Sequence, residues 1–158
     1  MGLLSRLLGR RTAQVARAAD PPEWVNVYRG MEQPFDGQFR PMDLGWYGRT
    51  LSVSESPEAA SFYARKTNGM TFGEGANVMP LQAQGPFATQ DDFSALVSQY
   101  MRGGRWSREK EDAAVQRATA ELRRLGYRGV KGTVDSEIAL FPDETGAISN
   151  VRSRFEGH

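Results

Sequence analysis

Three short stretches of the chain carry side chains suited to one chemistry: Tyr28-Arg29-Gly30, Leu51-Ser52-Val53-Ser54 and Asp135-Ser136-Glu137. An arginine held at a strand end presents a rigid fork of donors to a phosphate or a carboxylate, and a glycine beside it lets a ligand come close to the backbone. Ser52 and Ser54 alternate with Val53, so on a strand both hydroxyls face one side, where they can hydrogen-bond a sugar, while Val53 faces the core. Asp135 and Glu137 have i, i+2 spacing, which in an extended segment points both carboxylates to one face. Their repulsion is relieved by an arginine or by a positive charge that develops during reaction. In chain order the set runs arginine, serine, acid. That is the layout of a site that grips a dinucleotide phosphate, props a ribose and stabilises a developing cation. Most other options are closed: the chain has no Cys, and its single His is His158, which removes thiolate catalysis, Cys- or His-based metal sites and a Ser-His triad.

Each of these residues also has a plainer reading. Arg29 could pair with an acid at a sheet rim. Ser54 or Ser56 could cap the helix that follows, whereas Ser52 lies too far before it. Asp135 could belong to a solvated turn over Thr133 to Ser136. Glu137 leads directly into Ile138-Ala139-Leu140-Phe141 and so stands at the mouth of a buried strand. Phe62 and Tyr63 read either as core or as a platform on which a flat ring could stack. Gly73-Glu74-Gly75 is no phosphate loop, because it lacks the Gly-Lys-Ser/Thr ending and the strand–turn–helix setting.

The elements that must position these residues follow from periodicity. Glu23 to Tyr28 reads as a buried strand ending at Arg29-Gly30, and Gly48 to Ser54 as a second strand after a proline- and glycine-rich loop. Ser56-Pro57-Glu58 starts a helix that runs to about Lys66. A glycine-rich stretch, Gly69 to Ala76, precedes a strand over Asn77 to Ala83 that Gly85-Pro86 ends. Thr89 opens a helix carrying Phe93, Leu96, Val97, Tyr100 and Met101 on one face, and Ser107 opens another carrying Val115, Ala118, Leu122 and Leu125, closed by Gly126. Tyr127 to Val130, Glu137 to Phe141 and Ile148 to Phe155 read as strands. Strands at both ends with helices between them predict an α+β fold.

At 158 residues, 39% hydrophobic and 25% charged, the chain fits one soluble domain, and a net charge of +1 argues neither for nor against nucleic acid. No apolar run approaches transmembrane length. Residues 1–20 stand apart: Leu3, Leu4, Leu7 and Leu8 lie on one helical face with Arg6, Arg10, Arg11 and Arg17 interspersed, and Asp20-Pro21-Pro22 stops the segment before a domain over 21–158. Arg6 interrupts the apolar stretch that a signal peptide needs, so the segment reads as a docking helix or a membrane-surface anchor.

The three motifs together resemble the Arg–Ser–Glu class of the ADP-ribosyltransferase superfamily. Its members carry an aromatic-Arg-Gly strand, a Ser-Thr-Ser strand leading into a helix with Ala and an aromatic, and an acid-x-Glu before a terminal strand. The counterparts here are Tyr28-Arg29-Gly30, Ser52-Val53-Ser54 with Pro57 to Ala64, and Asp135-Ser136-Glu137. Gly75 to Pro80, Leu125 to Val130 and Ala147 to Phe155 are similar to a phage-associated branch found in polyvalent and head-morphogenesis-linked proteins. The likeness spans about residues 23 to 156. Val53 replaces the usual Thr, and Asp135 is one carbon shorter than the usual Glu.

The resemblance implies two short, splayed, mainly antiparallel sheets around an NAD cleft, with helices packed outside. It implies mono-ADP-ribosyl transfer from NAD+ to a protein acceptor, a host protein among the candidates, with no metal. Glu137, Arg29, Ser52 and Asp135 would be catalytic, Asp135 serving the acceptor. Arg29, Gly30, Ser52, Ser54, Phe62 and Tyr63 would hold the dinucleotide. The setting would be bacterial cytoplasm, a phage virion or a secreted toxin-like effector, with a phage or effector partner on the N-terminal helix and no specific nucleic acid. An NAD+ glycohydrolase and a non-catalytic virion module of the same fold are the alternatives.

Overall fold

The computed structural model describes residues 14–31, 35–41, 45–64 and 77–155. They form a mixed α+β fold, with one open, mostly antiparallel seven-stranded sheet and three helices among the described residues. In chain order the elements are β1 (Trp24–Met31), β2 (Leu51–Ser54), α1 (Pro57–Tyr63), β3 (Asn77–Gln84), β4 (Phe87–Thr89), α2 (Gln90–Tyr100), α3 (Arg108–Arg124), β5 (Gly129–Lys131), β6 (Glu137–Leu140) and β7 (Val151–Ser153). The sheet order is β4-β5-β6-β2-β1-β3-β7, and β4 with β5 is the parallel pair.

The expectation of two separate sheets is corrected: Tyr28 of β1 pairs with Ser54 of β2 and joins the halves into one sheet. That seam is narrow. β2 pairs with β6 from Leu51↔Leu140 to Ser54↔Glu137, and β1 with β3 from Trp24↔Gln84 to Met31↔Asn77, but β1 and β2 share the single register pair Tyr28↔Ser54. Past that pair, toward Ser52 and Gly30, the backbone ladder stops.

Strand alternation sends two sets of apolar side chains to opposite faces of the sheet. Val27, Leu51, Val53, Leu81, Ala83, Ile138 and Leu140 share one core cluster with Ile148 and Val151, with Phe39 packed against it. Ala88, Val130, Ala139 and Phe141 share the other with Phe93 and Leu96 of α2, Ala118 and Leu122 of α3, and Tyr47. Burying a side chain such as Leu122 completely contributes roughly 1.5–3 kcal/mol, so the helix stripes are what hold α2 and α3 to the sheet.

The three helices start where their caps predict. Ser56, Thr89 and Ser107 each accept a backbone N–H through the side chain, from Ala59, Asp92 and Lys110 respectively. Gly126, at φ +95°, follows α3 in the left-handed conformation that favours glycine after a helix.

Several boundaries differ from the sequence reading. β1 runs on to Met31, so Arg29 and Gly30 lie inside the strand, because Asn77–Gln84 pairs along its whole length. β4 was not predicted, since three residues are too few to display alternation. The final strand is confined to Val151–Ser153. The glycine-rich stretch 69–76 and the greater part of the expected N-terminal helix lie outside the described residues. Residues 14–19 have no regular secondary structure and run along the domain, where Ala18 N donates to Leu125 O at 2.9 Å and Tyr127 OH donates to Ala16 O at 2.9 Å. Among the described residues no helix is long and apolar enough to cross a membrane.

Candidate functional site

A cavity of about 460 Å3 opens over the β1–β2 seam. It is lined by Tyr28, Arg29, Gly30 and Met31 of β1, Ser52, Val53 and Ser54 of β2, Ala60 and Tyr63 of α1, Asp135 of the β5–β6 turn, and Glu137 of β6. Seven of the eight residues singled out in the sequence therefore meet in one place. The exception is Phe62, which is not among the lining residues. It is exposed, and its ring lies 6.1 Å from that of Tyr63, edge-on. Of the Phe62–Tyr63 pair, Tyr63 is the one that lines the cavity.

The centre of the site is a short hydrogen-bonded chain. Ser52 Oγ donates to Glu137 Oε1 at 2.6 Å, and the Arg29 guanidinium donates to Ser52 O at 2.7 Å. Because Ser54 pairs with Glu137 across the β2–β6 ladder, Ser52 and Glu137 are diagonal neighbours on one face. The register thus dictates their meeting. A hydroxyl bonded to a carboxylate gives a short, strong contact that fixes the orientation of the carboxylate. Among the described residues Glu137 Oε2 has no hydrogen-bond partner, which leaves that oxygen for a ligand hydroxyl.

Arg29 lies at the end of the β1–β2 ladder. Among the described residues it has no carboxylate partner, and instead bridges β1 to β2 where their ladder ends. By alternation it shares a face with Val27 rather than with Tyr28 and Gly30, yet it lines both this cavity and a smaller one containing Phe39 and Leu51. Its guanidinium therefore occupies the opening between the parted strands. Burial pulls its pKa below the ordinary arginine value. One of the five guanidinium donors is taken by Ser52 O. A half-buried cation without a counter-charge is a receptive position for an anion.

Gly30 lines the cavity and also makes room for α1. A Cβ there would lie 1.8 Å from Ala60 O and 2.8 Å from Ala64 N. The space is filled by α1, so glycine lets the helix backbone rest directly on β1 and carry Tyr63 to the cavity.

The two acids converge by a different route from the one expected. Asp135 and Ser136 have φ of +55° and +50°, and Glu137 N donates to Val134 O at 3.1 Å, as in a type I′ turn. Asp135 is thus in the turn and Glu137 in the strand, and curvature rather than extended spacing brings both to the cavity. The turn is tethered to β2 and its extension: Ser54 Oγ donates to Asp135 O at 2.5 Å, and Glu55 N donates to Ser136 O at 3.1 Å. Ser54 Oγ also accepts from Ser56 N at 3.0 Å, so its hydroxyl links the acid turn to the start of α1. Across the mouth, Tyr63 OH donates to Asp135 Oδ2 at 3.5 Å. Burial raises the Tyr63 pKa, and the charges of Asp135 and Glu137 raise it further.

Two further buried residues were not singled out in the sequence, Tyr47 beside helices α2 and α3 and Asn150 away from the cavity. Tyr47 is buried among α2 and α3, and its pKa is raised by burial first and then by the charge of Glu137. Its setting between Gly45 and Gly48 was the available signal. Asn150 is fully buried and donates to Gln84 O at 2.8 Å and Arg128 O at 3.2 Å, joining β3 to the segment before β5. No pattern in the sequence distinguishes it.

Comparisons with known protein families, with curated proteins and with solved structures found no match to the chain. The functional reading accordingly rests on the geometry of the site and on the motifs that build it.

Proposed function

We propose that the protein binds NAD+ in the seam cavity and transfers ADP-ribose to a protein acceptor, on a fold of the ADP-ribosyltransferase type in which the narrow β1–β2 seam stands for the splayed-sheet junction. The observation that carries the reading is the Arg29–Ser52–Glu137 chain. It gathers a cation that has no carboxylate partner among the described residues, a hydroxyl and an oriented carboxylate from three strands into one cavity.

In this reading Arg29 holds the diphosphate, a role suited to a guanidinium with no carboxylate partner among the described residues. Ser52 braces Arg29 through its carbonyl and Glu137 through its hydroxyl. The bond between nicotinamide and ribose breaks through a state with oxocarbenium character, as in glycoside cleavage. Glu137 bonds the adjacent ribose hydroxyl and stabilises the positive charge as it develops, and preorganised charge of this kind is usually the largest catalytic contribution. Nicotinamide leaves with the bonding electron pair, and the acceptor nucleophile forms the new bond to the ribose carbon. Asp135 lies at the exposed edge of the cavity beside Tyr63, and in this reading it meets that acceptor.

The test is incubation of the protein with NAD+ labelled in the adenosine half, with and without host lysate. Label transferred to protein supports the reading. Free ADP-ribose alone, at the same rate with and without lysate, would identify a glycohydrolase instead. Absence of NAD+ binding would leave the fold as a non-catalytic module.

A further inference from the structure

We propose that the cleft between Trp46 and Trp106 is a binding site for an arginine side chain presented by a protein partner. The two indoles line a cavity of about 390 Å3 with Arg108, Glu111, Asp112 and Val115 of α3, and none of the residues lining it lines the Arg29–Glu137 cavity.

Trp46 is exposed because the fold holds it out. Gly45 N donates to Gly48 O at 2.9 Å and Gly48 N to Gly45 O at 3.0 Å, closing a two-residue turn around Trp46 and Tyr47. Tyr47 anchors the turn: it is 3% exposed, packs edge-on against Phe93 at 4.9 Å, and accepts at its carbonyl from Thr119 Oγ1 at 3.2 Å. Gly48 adopts φ +83° and lies against α3, where a Cβ would come within 3.3 Å of Val115 Cγ1. With its neighbour fixed in this way, Trp46 is left 79% exposed. Trp106 is 66% exposed, and its indole N–H donates to Glu111 Oε2 at 2.9 Å, which fixes the ring at the start of α3.

The chemistry of the cleft selects its occupant. Acids in the first turn of a helix are accounted for by the helix dipole, but two outward tryptophans beside them are not. Indole faces attract cations, and a guanidinium can stack on an indole while its fork reaches carboxylates. Glu111 and Asp112 outnumber Arg108, so phosphate and nucleic acid are disfavoured there. A purely apolar occupant would strip water from the carboxylates and return no hydrogen bond. A guanidinium satisfies both the rings and the acids.

Tryptophan emission provides the readout. The chain has three tryptophans, and the third, Trp24, is covered by the Arg152 guanidinium 3.8 Å from its ring centroid. A short glycine-serine peptide carrying two arginines is titrated into the full-length protein, alongside the same peptide with citrulline in place of arginine. The arginine peptide is expected to change the emission saturably, and the citrulline peptide to bind at least about tenfold more weakly. Trp106→Ala and Trp46→Ala are each expected to weaken arginine-peptide binding by about tenfold, read by calorimetry. Glu111→Gln keeps an acceptor for the Trp106 N–H but removes the charge, and is expected to weaken binding by about threefold to tenfold, with the wild-type difference shrinking as salt is added. Equal affinity for the two peptides, no saturation by the arginine peptide at millimolar concentration, or unchanged affinity in Glu111→Gln and in tryptophan variants that keep the wild-type melting temperature would overturn the proposal.

Discussion

Replacing Gly30 with alanine should destabilise the fold through one specific collision. The added Cβ would lie 1.8 Å from Ala60 O, 2.8 Å from Ala64 N and 2.9 Å from Ala60 C, and all three are backbone atoms of α1 and its cap. Non-bonded heavy atoms are comfortable at about 3.5 Å, so the helix would have to retreat by more than about 1 Å. No side-chain rotamer can relieve the contact. Overpacking of this kind costs about 1–3 kcal/mol, and an obstacle made of backbone belongs at the upper end. Reduced freedom of the unfolded chain returns about 0.4–1 kcal/mol, which offsets only part of the cost. For a chain of this length each kcal/mol shifts the melting temperature by about 2–4 °C, so a net loss of about 2 kcal/mol lowers it by about 4–8 °C. Calorimetric melting of wild type and variant measures the shift directly. Because α1 carries Tyr63 and starts beside Ser54, ligand binding in the seam cavity should weaken as well. A melting temperature within about 2 °C of wild type would show that α1 does not rest on β1 as described.

Ser54→Ala removes the bonds to Asp135 O and from Ser56 N at a buried position, and should cost about 1–3 kcal/mol in urea unfolding. An unchanged urea midpoint would show that the hydroxyl does not tether the acid turn. Ser136→Gly places glycine at φ +50° after Asp135, the Asp-Gly pair that type I′ turns favour, and should stabilise by up to about 1 kcal/mol in the same assay. A loss of stability would assign the Ser136 side chain a contact of its own. The Asp143 carboxyl is held below the ordinary aspartate range, first by the Thr145 hydroxyl and then by the N–H groups of Thr145 and Ala147. Its contribution is therefore complete above the pKa of an unfolded aspartate and is lost as pH falls through the depressed folded value. Asp143→Asn should flatten the acid side of a plot of melting temperature against pH, and an identical acid limb would contradict that assignment.

How much of this was legible in the sequence depended on how local the signal was. The caps Ser56, Thr89 and Ser107 were readable because an N-cap acts on its own next turn. The alternation of Ser52, Val53 and Ser54 was readable because a strand's period of two is fixed by the backbone. Val53 packs in the core cluster with Val27, and all three residues contribute to the cavity lining. The single seven-stranded sheet was not readable, because it rests on one register pair between Tyr28 and Ser54, and no local pattern encodes pairing across that distance. The packing role of Gly30 was hidden for the same cause: the atom it makes room for, Ala60 O, comes from a later helix. Asp135 and Glu137 were correctly placed together, but through extended spacing instead of the left-handed turn that joins them. The bond from Ser52 to Glu137 spans the β2–β6 ladder, and only the register reveals it.

In the proposed reaction Glu137 acts on charge developing in NAD+ cleavage, while Arg29 binds charge already present in the ground state. The most direct measurement pairs calorimetric NAD+ binding with NAD+ turnover for wild type and Glu137→Gln, with Arg29→Ala as the contrast. An interaction realised only in the transition state changes turnover and leaves binding nearly untouched. Glu137→Gln is expected to bind NAD+ almost as wild type does and to lose on the order of 10²–10³ in turnover, the effect of removing one electrostatic stabiliser, whereas Arg29→Ala is expected to weaken binding itself. Full turnover by Glu137→Gln, or no NAD+ binding by wild type, would contradict it.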